Sequence, residues 1–117
     1  AVQHALRSFC RGARLHYAGY SFGSLVALML NREMPAESTV LISPPLSEYD
    51  FETLLPGNRK LSIMASPEDG LCPFQKVKEL ATGFGFRPVE SGSGDHFYRG
   101  GEKLAAKKTI DNLEVKI

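Results

Sequence analysis

The strongest constraint on what this chain can fold into is an alternation that runs along its length. Segments of helical periodicity trade places with short apolar runs of strand character. Val2, Ala5, Leu6 and Phe9 fall at i, i+3, i+4 and i+7, one face of a helix, with Gly12 placed to cap it. Arg14 to Ala18 reads as a short strand, and Phe22 to Glu33 as a helix apolar on most sides, hence buried, ended by Pro35. Thr39-Val40-Leu41-Ile42 is a continuous apolar, partly β-branched run, as a central parallel strand requires. Leu61 to Ala65 is the next strand. Phe74, Val77, Leu80, Ala81 and Phe84 mark an amphipathic helix closed by Gly83 and Gly85. Phe86 to Glu90 is a strand whose Pro88 argues for a sheet edge, and Leu104 to Leu113 a last helix. Residues 43–59 hold three prolines and little periodicity, and read as an irregular excursion. The pattern predicts an α/β fold: a parallel sheet of about four strands with helices on both faces, joined by right-handed crossovers. No linker or repeat interrupts it, so residues 1–117 are expected to form a single domain.

Composition narrows the function. Hydrophobic residues at 43% and charged residues at 23% are ordinary for a globular domain. The net charge of +1 lacks the basic footprint of a nucleic-acid binder. The longest purely apolar run, Leu25 to Leu30, falls far short of the ~20 residues that cross a bilayer. No nucleic acid and no membrane are therefore expected as partners. No secretory leader is visible. Cys10 and Cys72 sit without metal-ligand spacing and read as free thiols in a reducing, cytoplasmic setting. Neither a metal nor a cofactor is expected.

One motif carries chemistry. Gly19-Tyr20-Ser21-Phe22-Gly23 is a Gly-x-Ser-x-Gly sequence, common enough by chance in a chain with 11 glycines. Its place gives it weight: it joins a predicted strand to a predicted helix, where a sharp turn would lift the Ser21 hydroxyl above the sheet. Glycine is expected on both sides because a Cβ there would meet the neighbouring strand or helix. An ordinary Gly-Ser turn, or a phosphate-cradling loop, is the other reading, although no Gly-x-Gly-x-x-Gly or Walker lysine accompanies it.

A serine nucleophile needs a base, and the base an orienting acid. Of the three histidines, His4 lies upstream on the first helix and His16 inside a strand, where a packed core role suits it. His96 follows the last strand in the loop Gly92-Ser93-Gly94-Asp95-His96, at the carboxyl-end rim where open α/β sheets bind ligands. The acid should follow another strand at that rim, and Ser66-Pro67-Glu68-Asp69-Gly70 does, offering Asp69 or Glu68. Asp95 is the rival, poorly placed because adjacent side chains on an extended chain point apart.

These stretches resemble an α/β-hydrolase. The match runs through Gly19-Tyr20-Ser21-Phe22-Gly23-Ser24, Ser43-Pro44-Pro45 with Tyr49-Asp50-Phe51, Ser66-Pro67-Glu68-Asp69 with Pro73, and Gly94-Asp95-His96-Phe97-Tyr98 with Gly100. It is most similar to the C-terminal half of the small, cap-less hydrolases related to dienelactone hydrolase and short-chain esterases. The resemblance implies Ser21 as nucleophile, Asp69 as acid and His96 as base; Ser66 stands where the family usually has glycine. It implies a partial α/β-hydrolase fold, and an acyl-enzyme route for a small ester or thioester with the Phe22 amide in the oxyanion hole. The excursion after Ser43 is too short for a helical lid, so the cleft should be open, with Tyr20, Phe22, Leu46, Phe97 and Tyr98 as candidates for its wall; a core place is equally open to Phe22, Leu46, Phe97 and Tyr98. The family's earlier strands, and the loop giving the second oxyanion amide, have no counterpart here. That predicts a missing N-terminal half, or a homodimer partner, along the edge of the first strand. A scaffold with a decayed site, or an inactive fragment of a longer hydrolase, would use the same edge without chemistry.

Overall fold

The computed structural model describes residues 14–55, 60–92 and 94–113. The helix predicted over residues 2–9, with His4 and Cys10, lies outside them. The elements run β1 (His16–Tyr20), α1 (Gly23–Glu33), β2 (Ser38–Ile42), β3 (Leu61–Ala65), α2 (Phe74–Phe84), β4 (Arg87–Glu90) and α3 (Glu102–Asn112). The strands form one four-stranded sheet in the order β1-β2-β3-β4, every neighbouring pair parallel. β1 begins two residues later than the sequence suggests, and Gly19 and Tyr20 belong to it. Among the described residues β4, with Pro88, is an edge strand, where the missing proline N–H costs no ladder bond.

Because parallel strands alternate in step, residues paired across the sheet point to one face. Tyr17, Leu41, Ile63 and Ala65 lie on the first face and join Ala27 and Leu28 of α1 and Val77 of α2 in the main core. Met64 and Tyr98 lie on the second with Ala105 of α3, flanked by Ile42 and Val89. Helices thus cover both faces, α1 and α2 on one and α3 on the other. α2 stops at Gly85, whose φ of 77° suits glycine and whose N–H donates to Ala81 O at 2.8 Å.

Two expectations change. α1 is not buried all round: Ser24, Ala27, Leu28 and Asn31 face the sheet, while Val26 and Met29 are 48% and 58% exposed. A helix laid on a single sheet has only one stripe to bury, and among the described residues nothing covers its outer side. His16 is half-buried, not enclosed in the core, with Nδ1 2.7 Å from Ser38 Oγ. That hydroxyl donates in turn to the Leu113 carbonyl, pinning the end of α3 to the amino-end rim of the sheet.

The layering separates core from surface leucine-type side chains. Leu41, fully buried in a central strand, should lose about 2–5 kcal/mol of stability on Leu41→Ala. Ile110, 55% exposed on α3, should change it by no more than about 0.5 kcal/mol on Ile110→Ala. Urea titrations of both variants measure the contrast.

Candidate active site

The sheet's register sets the site. Just past the strand ends, Ser21 N–H donates to Ile42 O at 2.8 Å, Ser43 N–H to Met64 O at 2.8 Å, and Ser91 N–H to Ala65 O at 3.0 Å. The turns after β1, β2 and β4 therefore leave the sheet at one level, and the loop after β3 rises beside them.

The turn after β1 is the tightest. A Cβ on Gly19 would stand 2.5 Å from Gly23 O and 2.8 Å from Ser24 Cα, both backbone atoms that cannot step aside. Only glycine lets the first turn of α1 sit this close to β1, and the Ser24 hydroxyl, fully buried, donates to Gly19 O at 3.1 Å. Gly23 differs from expectation: a Cβ there meets nothing within 4 Å. The price of the turn falls on Ser21, a non-glycine residue at φ 53°. Its hydroxyl stands at the head of α1, beside Phe22, the N-cap residue of that helix, at the positive end of the helix dipole.

Ser21 Oγ lies 2.7 Å from His96 Nε2. On the other side of the ring, His96 Nδ1 is 2.9 Å from Asp69 Oδ2 and 3.1 Å from Oδ1. Asp69 is 1% exposed, and its Oδ1 accepts the N–H groups of Leu71 (2.9 Å) and Cys72 (3.1 Å). A carboxylate engaged by donors is an acceptor for the ring as well, so Nδ1 carries the proton. Nε2 then presents its lone pair to the Ser21 hydroxyl. Cys72 packs behind the carboxylate as a free, buried thiol; burial first, then the Asp69 charge, pushes it up to about 12.

The other sequence candidates take different places. Glu68 reaches the base loop and not the ring, its Oε2 accepting Gly94 N–H at 3.3 Å. Asp95 caps its own turn, accepting Phe97 N–H at 3.0 Å, and lies 3.6 Å from Arg99 Nε. Phe97 is 62% exposed and meets the His96 ring edge-on at 5.5 Å between centroids. Phe22, also exposed, meets Tyr49 edge-on at 5.8 Å. Leu46, partly buried, packs against the main cluster under the excursion after β2 and lines a small pocket with Tyr49 and Asp50. Tyr98 is a core residue, 4% exposed, with its hydroxyl 2.5 Å from Ser43 Oγ. Burial raises its phenol above the ordinary range, partly offset by that hydrogen bond. Tyr20 sends its hydroxyl to the His96 carbonyl, 2.5 Å away. Among the described residues no group of three or more His, Cys, Asp or Glu could hold a metal ion, and no helix is long and apolar enough to cross a membrane.

The same architecture recurs in solved structures. A serine hydrolase without lid from Xanthomonas campestris superimposes with a TM-score of 0.78 at 20% identity, over 100% of this chain and 56% of that one. The chain carries part of an α/β-hydrolase fold. A protein of unknown function from Agrobacterium tumefaciens, provisionally grouped with the alpha/beta hydrolases, gives 0.77 at 22% identity, over 94% of this chain and 55% of that one. An alpha-beta serine hydrolase homologue from Coxiella burnetii gives 0.71 at 20%, over 91% and 54%. The chain thus spans a little over half the length of these α/β-hydrolase-fold structures. No protein-family model and no curated protein matches the sequence.

Strain at the turn of the hydrolase fold is measurable without activity. Replacing Ser21 by Ala keeps a Cβ in the left-handed region, at about 1–2 kcal/mol, whereas Gly escapes that cost and concedes about 0.4–1 kcal/mol of unfolded-state entropy. Ser21→Gly should therefore be the more stable variant by about 0.5–1 kcal/mol, as read from paired chemical denaturation curves.

Proposed function

We propose that this chain carries the catalytic residues of a serine hydrolase acting on a small ester or thioester. One observation supports it above the rest: the Ser21 hydroxyl, the His96 imidazole and the Asp69 carboxylate form an unbroken hydrogen-bonded line, at 2.7 Å and 2.9 Å. Solved relatives of the fold described as serine hydrolases add to the case. Ser21 Oγ attacks the acyl carbon while its proton passes to His96 Nε2. Asp69 holds the Nδ1–H tautomer and the cation that forms, and the Phe22 amide faces the oxyanion. His96 then gives the proton to the departing alcohol or thiol. Water, deprotonated by the same imidazole, attacks the acyl-enzyme; its proton returns to Ser21 as the carboxylic acid leaves. The free Cys72 thiol suits a reducing, cytoplasmic setting.

A fluorophosphonate probe should label Ser21, seen as a mass shift on its peptide, and Ser21→Ala should abolish it. Asp69→Asn should lower ester turnover about 10⁴-fold, because an amide in that place turns the imidazole to the wrong tautomer. A folded wild-type protein that takes no label would end the hydrolase reading.

The site is half-furnished. The second oxyanion amide of such enzymes belongs to a loop after an earlier strand, and losing one donor costs ~10²–10³ in rate. Among the described residues β1 is the first strand and has β2 as its single neighbour. Beside that edge runs an open apolar groove of about 390 Å³, bordered by Tyr20, Ile42, Phe97, Ala106 and Ile110. A strand from the remaining portion of an α/β-hydrolase fold would complete both sheet and oxyanion site. When the chain is alone, a second copy pairs along the same edge. Light scattering should then give twice the 12.8 kDa chain mass, reduced to one chain by Ala18→Lys, which places a charge on the edge strand. A wild-type chain that stays monomeric at high concentration removes this pairing.

A further inference from the structure

Tyr20 makes a contact the acyl-transfer chemistry does not use. It ends β1, one residue before the nucleophile, and pleating turns its side chain to the second face of the sheet, opposite Gly19. There its hydroxyl meets the main-chain carbonyl of His96 at 2.5 Å, with the phenol and imidazole centroids 5.7 Å apart. The phenol is kept a donor: burial, then the charges of Tyr98, Asp69 and Asp95, raise its pKa.

The segment that carries His96 needs restraint. It leaves β4 through Gly92 at φ 91° and Gly94 at φ 147°, residues without a Cβ to limit the backbone's path. Glu68 holds the loop's amino side, at Gly94 N–H, and Ser43 holds the Tyr98 hydroxyl beyond it. His96 itself is fixed through its side chain by Ser21 and Asp69. Its backbone has one side-chain tie to the nucleophile's strand, and Tyr20 makes it. Two consecutive residues, Tyr20 and Ser21, thereby grip two ends of one histidine. The resulting ring of contacts is closed by a single peptide bond.

We infer that Tyr20 is a positioning residue whose hydroxyl anchors the His96 backbone to β1 and so sets the distance between base and nucleophile. This rests on the serine-hydrolase reading and reassigns Tyr20 from a substrate wall to the catalytic geometry. A general base works within a window of about 2.6–3.2 Å, and displacement of ~1 Å can cost ~10²-fold. Loss of one neutral hydrogen bond shifts the population only partly out of that window, so an effect near tenfold is expected.

Tyr20→Phe removes the hydroxyl and keeps the ring. With p-nitrophenyl acetate it should lower kcat about tenfold and leave KM within twofold, and it should slow fluorophosphonate labelling of Ser21 by the same factor. Amide hydrogen exchange, followed by NMR, should accelerate at Phe97 and Tyr98 but not at Val40 or Ile63 in the central strands. A raised KM at constant kcat would return Tyr20 to the substrate wall and overturn the inference. So would unchanged exchange in the loop, or equal acceleration throughout the sheet, which marks global destabilisation. Should the wild-type protein take no label, the hydrolase reading fails alone, and the loop exchange still decides whether Tyr20 anchors His96.

Discussion

The backbone ladder that runs from β1 through β2 and β3 to β4 is the interaction on which the site depends. Tyr20 is level with Ile42, Ile42 with Met64, and Ala65 with Glu90. That register places the chain exits after every strand along one rim, so residues 75 and 27 positions apart in sequence, Ser21 to His96 and Asp69 to His96, arrive within hydrogen-bond reach. A shift by one residue in any pair would invert the faces of that strand and turn its exit away. Apolar burial on both sides of β2 and β3 opposes such a slip: Val40, Leu41, Ile63 and Met64 are at most 1% exposed. The energy that fixes the geometry is thus spent well below the rim, in the core.

Strain and satisfaction are divided among the three exits. The exit from β1 is strained, with Ser21 at φ 53°, and is held by close contact through Gly19 and the Ser24 hydroxyl. The exit from β3 is relaxed and saturated: the Asp69 carboxylate, buried, takes two amides and the imidazole. Burying that charge is tolerable because its acceptors are filled. The exit from β4 is glycine-rich and is restrained from outside, by Glu68, Ser43 and Tyr20. A strained serine and a saturated carboxylate thus flank an imidazole whose segment is held by Glu68, Ser43 and Tyr20.

Much of this was legible along the chain. The β-branched run Thr39 to Ile42, the helical spacing from Phe74 to Phe84 and the proline in β4 each have a local cause, and each element lies where that cause puts it. Ser21, Asp69 and His96 were legible for a related reason: each sits just past a strand, and parallel strands end on one side. Less legible were contacts between side chain and distant backbone. Nothing in the sequence near Tyr20 announces the carbonyl of His96, and nothing near Glu68 announces Gly94 N–H. For Leu46 a cleft wall and a core place were both open along the chain; the excursion folds back and packs its side chain against the core.

Local chemistry and periodicity, encoded residue by residue, determined the strands, the helices, the edge position of β4 and the rim on which reactive groups gather. These follow from short-range preferences and from the fixed polarity of a parallel sheet. Only the tertiary structure decided which acid faces the imidazole, which glycine of the turn is obligatory, which aromatic is core, and that α1 leaves Val26 and Met29 in solvent. Those outcomes turn on ångström-scale distances between segments remote in sequence. They are set by packing and by hydrogen bonds that no local pattern records.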